Sequence, residues 1–367
     1  MVEIIVFIFL ISTIYILLHY LRTAHIFRSH FQKNTQFENH SIPVSVVICA
    51  RNEASTLFKN LEFILNQNYP KFEVVVVDDC SDDSTINTIQ LFQKEYSNLK
   101  LVSIRTKTSK SKRDALKKGI LASKYDTILL TDADCKPSSS EWIKSMSGRL
   151  SSNTSCVLGY SPYFKSSGFL NDIIQFETFQ TASLYMSRAI IQKAYMSVGR
   201  NVMYSKSLFL EYENFDNEKH LTSGDDDLLI QNIKDKNQID VNLDPRSFVF
   251  SQPKTDFKSW WNQKLRHYSA STHYKTSSQL FLGMFHLFHG LFWLSFIYLL
   301  FSQFITFALL IVGITFLIKS ILMLCNARIF KISRSIIWLW PILEVSLIFL
   351  QYGLGLHGTF KKQNSWQ

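Results

Sequence analysis

Asp132 and Asp134 stand two positions apart, directly after the apolar run Ile128, Leu129, Leu130. In an extended backbone, residues i and i+2 point to the same side. The two carboxylates therefore repel each other unless a cation or a hydrogen-bond donor lies between them. A hard divalent cation that also takes phosphate oxygens suits such a pair, because magnesium commonly uses only one or two protein carboxylates. Two further polar segments close apolar runs, "CARNEAS" (Cys49 to Ser55) and "VDDCSDD" (Val77 to Asp83). Asp78 or Asp79 offers an acceptor for a base N–H, and Asp132 one for ribose hydroxyls. Lys112, in "SKSKRDALKKG", offers a cation to a diphosphate. Together these residues read as a nucleotide site.

Each segment also has a plainer reading. An Asp-x-Asp pair recurs by chance, and "DDCSDDS" serves equally as a solvated turn with a helix N-cap. Lys112, Arg113, Lys117 and Lys118 make an ordinary charged helix face. Their ordered recurrence is what favours the site.

The elements that must position these residues are legible from periodicity. "VSVVICA", "FEVVVVDD", "LKLVSI" and the run ending at Asp132 read as strands, since strands covered on both faces are nearly continuous apolar runs. Between them lie helical patterns: "ASTLFKNLEFILNQ", with Leu57, Leu61, Ile64 and Leu65 on one face, "DSTINTIQLFQKEY", and a basic helix from about Ser111. This alternation predicts an α/β fold with an open parallel sheet and right-handed crossovers. Such sheets bind ligands beyond the carboxyl ends of their strands, at the switch in strand order. The three polar segments should converge there.

In this order, "ARNE", "VVDDCSDDST", "SKRDAL", "TDADC" and "GDDDLL" resemble the family 2 glycosyltransferases and their GT-A fold, over about Pro43 to His267. The resemblance implies a nucleotide-sugar donor, a divalent cation (Mg2+ or Mn2+) and inversion at the anomeric carbon. It implies that Ala50 and Glu53 border the nucleoside, Asp79 reads the base and Lys112 approaches the phosphates. Asp132 and Asp134 match the family's metal and ribose motif, with Asp134 the more direct ligand. "TSGDDDLLIQ" resembles the acidic catalytic motif, with Asp226 as general base and Asp225 beside the acceptor. An acidic helix N-terminus is the alternative for that stretch. "GRNVMYSKSLF" lies where the family carries an acceptor-side loop, which makes Arg200 and Asn201 possible acceptor or donor contacts, or else only a strand and turn. In "NQKLRHY", Gln263 and Arg266 have the spacing of the family's Gln-x-x-Arg-Trp motif, while His267 replaces its Trp. That departure leaves the motif without the Trp of an acceptor-stacking platform. The surrounding "FKSWWNQKLRHYSASTHYK" also suits a membrane-surface anchor.

Outside this region the chain turns apolar. It has 367 residues, 14% of them aromatic, and a net charge of +10. Val2 to Leu21 is long enough to cross a bilayer. It lacks a cleavage site, and Arg22, Arg28 and Lys33 follow it, which predicts a retained anchor with the chain continuing into the cytoplasm. Leu280 to Phe301 and Phe304 to Leu324 form a hairpin around Ser302-Gln303, and Arg328, Lys331 and Arg334 follow. Ile336 to Leu356 is a third run, but Pro341 and Glu344 make it kinked, re-entrant or interfacial, and its crossing stays open. Basic residues beside apolar spans argue for anionic lipids and substrates before nucleic acid. Five cysteines without a CxxC pair argue against a zinc site or disulfide framework.

The expected organisation is an anchor over 1–22, a cytoplasmic GT-A domain over 41–253, an amphipathic interface over 254–277 and about three membrane segments over 280–357. The expected activity is transfer of one sugar from a nucleotide donor, UDP-linked by preference, to a lipid or lipid-linked glycan acceptor. A bacterial inner-membrane enzyme with no nucleic-acid partner fits this reading. A processive polysaccharide synthase is the alternative, and a non-catalytic membrane scaffold is the alternative of another class.

Overall fold

The computed structural model describes residues 2–33, 42–106, 112–151, 153–215, 227, 229–231 and 238–360. Helix α1 (Val2–Lys33) leads into β1 (Val44–Ala50), α2 (Ala54–Leu65), β2 (Phe72–Asp79), α3 (Thr85–Gln93), β3 (Leu99–Ile104), α4 (Arg113–Ala122) and β4 (Thr127–Asp132). Next come β5 (Cys135–Pro137), α5 (Trp142–Ser147), β6 (Thr154–Gly159), α6 (Phe169–Ile190), β7 (Val202–Ser205), α7 (Lys206–Phe215), β8 (Gln238–Asn242) and β9 (Val249–Ser251). Helices α8 (Phe257–Ser271), α9 (Thr276–Leu299), α10 (Ile305–Phe330), α11 (Arg334–Trp338) and α12 (Trp340–Phe360) complete it.

Seven strands form one sheet in the order β3-β2-β1-β4-β7-β6-β8. The first four are parallel to one another, and their registers align the carboxyl ends, with Ala50 opposite Asp78 and Cys49 opposite Asp132. Strand order reverses between β1 and β4, so the switch point falls beside Ala50 and Asp132. The sheet is mostly parallel, as expected, with one reversal: β7 runs antiparallel to both β4 and β6. It returns from the long α6, and no local periodicity reports that reversal.

Alternation along the strands splits the core in two. Val44, Val46, Ile48, Val74, Val76 and Leu129 pack under α2, α3 and α5. Leu57, Leu61, Ile64 and Leu65 are the buried residues of α2, the face its sequence marks out. On the opposite side, Val47, Val75, Val77, Ile128 and Leu130 meet α4 and α6. Helix α4 comes close at Gly119, where an added Cβ would lie 2.7 Å from both Val47 Cγ1 and Val77 Cγ2.

Helix α6 is the floor between sheet and helical bundle, packing against β8, α1, α11 and α12. Among the described residues, three helices are long and apolar enough to cross a membrane: Val2–Gln32, Thr276–Leu299 and Ile305–Phe330. Helix α1 does not end at Arg22. No glycine or proline stops it, and at 1.5 Å per residue it reaches about 48 Å. Its far end docks on the sheet domain, with His30 Nε2 2.8 Å from the Val241 carbonyl and buried Phe27 edge-on to Phe330. Phe330, closing α10, also meets Tyr160 and Phe179. The last apolar run is broken at Leu339, and Pro341 falls in the first turn of α12. A proline is tolerated there without losing a helical bond, and the interruption expected in this run falls just before it, at Leu339.

Candidate active site

The crevice forms where the loops after β1, β2 and β4 meet. The first two are stitched together. Asn52 and Cys80 both adopt the left-handed backbone, with φ of 57°. The Asn52 N–H donates to Ser81 Oγ at 2.9 Å, and its side-chain oxygen accepts from the Asp82 N–H at 2.8 Å. The Glu53 N–H donates to Thr85 Oγ1 at 2.9 Å. Asp83 accepts from the N–H groups of Thr85 and Ala54, at 2.9 and 3.2 Å, capping the starts of α3 and α2 together. The turn-and-cap reading of "DDCSDDS" therefore holds for Asp83. Asp78 and Asp79, one residue before the turn, are buried at the strand end, and Asp78 Oδ1 has no partner among the described residues.

Beyond β4, the Asp-x-Asp turn is clamped by the two-stranded pair of β5 and β9. Ser251 Oγ donates to Asp134 Oδ2 at 2.7 Å. Ligand atoms of Asp132, Asp134 and Cys135 lie within 4.8 Å of one another. Burial, with Asp134 and Asp132 alongside, pushes the Cys135 thiol well up, and a soft sulfur suits a hard cation less well than carboxylate oxygens do. The donor set left is two carboxylates, which fits Mg2+ or Mn2+ completed by phosphate oxygens.

Three cations face Asp132. Lys112 Nζ, at the start of α4, pairs with Asp132 Oδ1. Burial raises the Asp132 carboxyl, but Lys112, Arg200 and Arg266 outweigh it and hold the group below its ordinary value. Arg266 itself is lowered by burial, against the pull of Asp132 and Tyr163. A guanidinium remains charged all the same. Arg200 is half-buried, which lowers it, but its neighbours, led by Tyr163 and including Asp134 and Asp132, together raise it. Its Nη2 donates to the Ser161 carbonyl at 3.2 Å, its guanidinium lies 4.4 Å over the Tyr163 ring, and buried Nη1 has no partner among the described residues. Glu53 is raised by burial and by Asp134 and Asp132, offset in part by its bond from Thr56.

Helix α8 delivers Gln263 and Arg266. Three residues apart, they share a helix face. Gln263 Nε2 lies 3.4 Å from Tyr163 Oη, which links α8 to the ring under Arg200. Lys264 forms an ion pair with Glu177 of α6 at 2.5 Å, with both side chains nearly buried. On its other side α8 meets α12, where Trp261 Nε1 donates to His357 Nδ1 at 3.1 Å. His267 is exposed.

The structure thus brings Ala50, Glu53, Asp79, Lys112, Asp132, Asp134, Arg200, Gln263 and Arg266 to one end of the sheet and its adjoining helix. Asn201 does not join them. It is 1% exposed; its amide donates to the carbonyls of Tyr160 and Ser247 at 3.0 and 2.8 Å and accepts from Trp142 Nε1 at 3.0 Å. Gly159 makes room for it, since a Cβ there would lie 2.2 Å from Asn201 Nδ2. With all three bonds inside the core, Asn201 is a structural knot and not an acceptor contact. Asp225 and Asp226 lie outside the described residues. Their neighbour Asp227 accepts from Tyr274 Oη and from the Ser197 N–H at 3.3 Å. Tyr163 and Ser251 carry no motif that would have singled them out.

The family model for Glycosyl transferase family 2 matches residues 45–212. The chain carries a family 2 glycosyltransferase domain. The probable glycosyltransferase YdaM of Bacillus subtilis (strain 168) is 36% identical over 97 residues, 26% of this chain and 23% of the relative. The beta-monoglucosyldiacylglycerol synthase of Trichormus variabilis is 31% identical over 113 residues, covering 30% and 24% of the two chains. The poly-beta-1,6-N-acetyl-D-glucosamine synthase of Staphylococcus epidermidis is 30% identical over 91 residues, 25% and 21%. The matched segments thus span less than a quarter of each curated relative. The solved mannosyltransferase PcManGT from Pyrobaculum calidifontis, in complex with GDP-Man and Mn2+, superposes with a TM-score of 0.55 at 15% identity, covering 91% of this chain and 99% of that one. At that identity the likeness bears on the fold. This glycosyltransferase domain has the GT-A fold, joined to candidate membrane-spanning helices.

Proposed function

We propose that this protein is a membrane-bound, inverting glycosyltransferase that moves one sugar from a nucleotide donor to a lipid or lipid-linked glycan. The supporting observation is the meeting at Asp132 of cations from three separate parts of the chain: Lys112, Arg200 and Arg266. Three cations beside Glu53, Asp132 and Asp134 suit a nucleoside diphosphate bridged by a divalent ion. The family domain and the names of its relatives, which include a lipid glycosylating enzyme and a polysaccharide synthase, agree with that chemistry.

In this reading Ala50, Glu53 and Asp79 border the nucleoside, and Asp132 takes the ribose. Asp132 and Asp134 hold Mg2+ or Mn2+, which when bound offsets charge building on the departing diphosphate. Lys112, Arg200 and Arg266 add fixed positive charge at the same group, where an arginine fork matches two phosphate oxygens. Asp226 takes the proton of the acceptor hydroxyl as it attacks the anomeric carbon from the face opposite the leaving group. Asp227, the residue after this base, is held by Tyr274 and the Ser197 N–H. Helix α8 lies between crevice and α12, so a lipid acceptor enters along it. The catalytic domain faces the cytoplasm, in keeping with the basic residues that flank the apolar spans.

The test is product analysis with purified full-length protein, Mn2+, labelled UDP- and GDP-sugars and a total lipid extract. One sugar added to a lipid is the expected product. Long polymer would transfer the reading to a polysaccharide synthase, and absence of hydrolysis and transfer with every donor would leave only a scaffold.

A further inference from the structure

The end of α10 and the short α11 border a half-open cavity of about 310 Å³, lined by Leu324, Ala327, Arg328, Ile332, Arg334 and Trp338. None of these residues borders the crevice. The lining combines apolar side chains with two guanidinium groups, and Arg328, Arg334 and Trp338 are exposed. No carboxylate among the described residues pairs with either arginine. The cavity sits where α10, a candidate membrane span, stops at left-handed Lys331. Phe330, one residue earlier, packs on Tyr160 of the glycosyltransferase domain. This is therefore the membrane face that carries the domain.

A second observation points to the occupant. Leu310, Ile314, Leu317 and Ile321 are exposed on α10, and with Leu324 and Arg328 they follow one another at spacings of three and four. Such spacing makes a single stripe along a helix. An apolar stripe thus runs from Leu310 to Leu324 along the span and ends at a cationic cavity. A free phosphate has no use for the stripe, and a neutral lipid has none for two arginines. The volume is at the lower end of the range for ligand pockets, enough for one headgroup.

We propose that the cavity seats the headgroup of an anionic glycerophospholipid from the adjoining leaflet. Its phosphodiester bonds to Arg328 and Arg334, and an acyl chain lies along Leu310 to Leu324. Basic pockets beside membrane helices take anionic headgroups for this reason, and arginine forks match their phosphate oxygens.

The test is native mass spectrometry of the full-length protein in detergent, titrated with phosphatidylglycerol or phosphatidylcholine of the same chain length. Tight retention of one phosphatidylglycerol and weak retention of phosphatidylcholine is expected. Arg328→Gln/Arg334→Gln should weaken phosphatidylglycerol retention roughly tenfold or more while leaving phosphatidylcholine unchanged. Both arginines are exposed, so this variant should fold, and an unchanged melting temperature in detergent checks it. Millimolar inorganic phosphate should not displace the lipid. Equal retention of the two lipids, undiminished binding in the double variant, or displacement by inorganic phosphate would overturn the proposal.

Discussion

Lys319 and Glu344 in the helical bundle, and Lys112 and Asp132 in the crevice, are both ion pairs between distant elements, but only the first is closed to solvent. Lys319 Nζ donates to Glu344 Oε1 at 2.5 Å, and Trp293 Nε1 donates to Oε2 at 3.0 Å. His289 Nε2 lies 3.4 Å from Oε1, and the ammonium sits 3.9 Å over the Trp340 ring. The Lys319 and Glu344 side chains are 0% and 2% exposed. In the crevice, Lys112 and Asp132 are each 30% exposed, and among the described residues a buried Arg200 nitrogen and an Asp78 oxygen have no partner. Buried polar groups are normally satisfied. A pair shut off from solvent holds helices together, whereas one that solvent reaches, among three cations, is poised for a ligand.

Breaking the closed pair should give the largest effect. Lys319→Met leaves Glu344 buried without its cation and should cost about 3–5 kcal/mol, read by thermal unfolding in detergent. Lys319→Met/Glu344→Leu should recover most of it, with turnover per folded molecule unchanged. The open cluster should behave in the opposite way. Asp134→Asn should lower turnover by about 10²-fold or more with little change in melting temperature, because it relieves repulsion with Asp132. Asp226→Asn should cost about 10² or more in turnover while donor affinity holds. Loss from Asp227→Asn alone would move the base by one residue.

Intermediate effects sharpen the contrast. Arg266→Ala should weaken donor binding by about tenfold, as expected for a lost hydrogen bond to a charged group. Arg266→Lys should restore only part, because the planar fork is gone. Full activity in Arg266→Ala would reduce α8 to an anchor. The smallest effect concerns pH. Burial raises Glu53, so between its unfolded and folded pKa the native state holds more proton and stability falls as pH rises. Glu53→Gln should therefore melt slightly higher than wild type at pH 7.5, and the gap should close once pH falls below the unfolded value.

The parts of this design that were legible in sequence are those with local signatures. The buried face of α2, the apolar strands and the polar turns at their carboxyl ends follow from periodicity and turn chemistry. Because parallel strands align their ends, those turns had to meet. What stayed hidden depends on residues far apart in the chain. Asn201 is defined by Trp142, Tyr160 and Ser247, three partners from three segments, and nothing in "GRNV" announces them. Tyr163 matters only because Arg200 lies over it and Gln263 reaches it. The length of α1 was masked by Arg22 and Arg28, which read as the end of a span even though Phe27 continues the helix into the sheet domain.

The central claim is that Asp132 and Asp134 hold a nucleotide-sugar diphosphate through a divalent cation. Equilibrium titration of UDP- and GDP-sugars into the full-length wild-type protein and Asp134→Asn, each with Mn2+ and then with a strong chelator, tests it most directly. The expected result is binding of at least one donor to wild type with Mn2+, weakened about tenfold or more both by the chelator and by the substitution. Donor binding that is equally strong in all four conditions, or no binding of any donor to wild type, would contradict it.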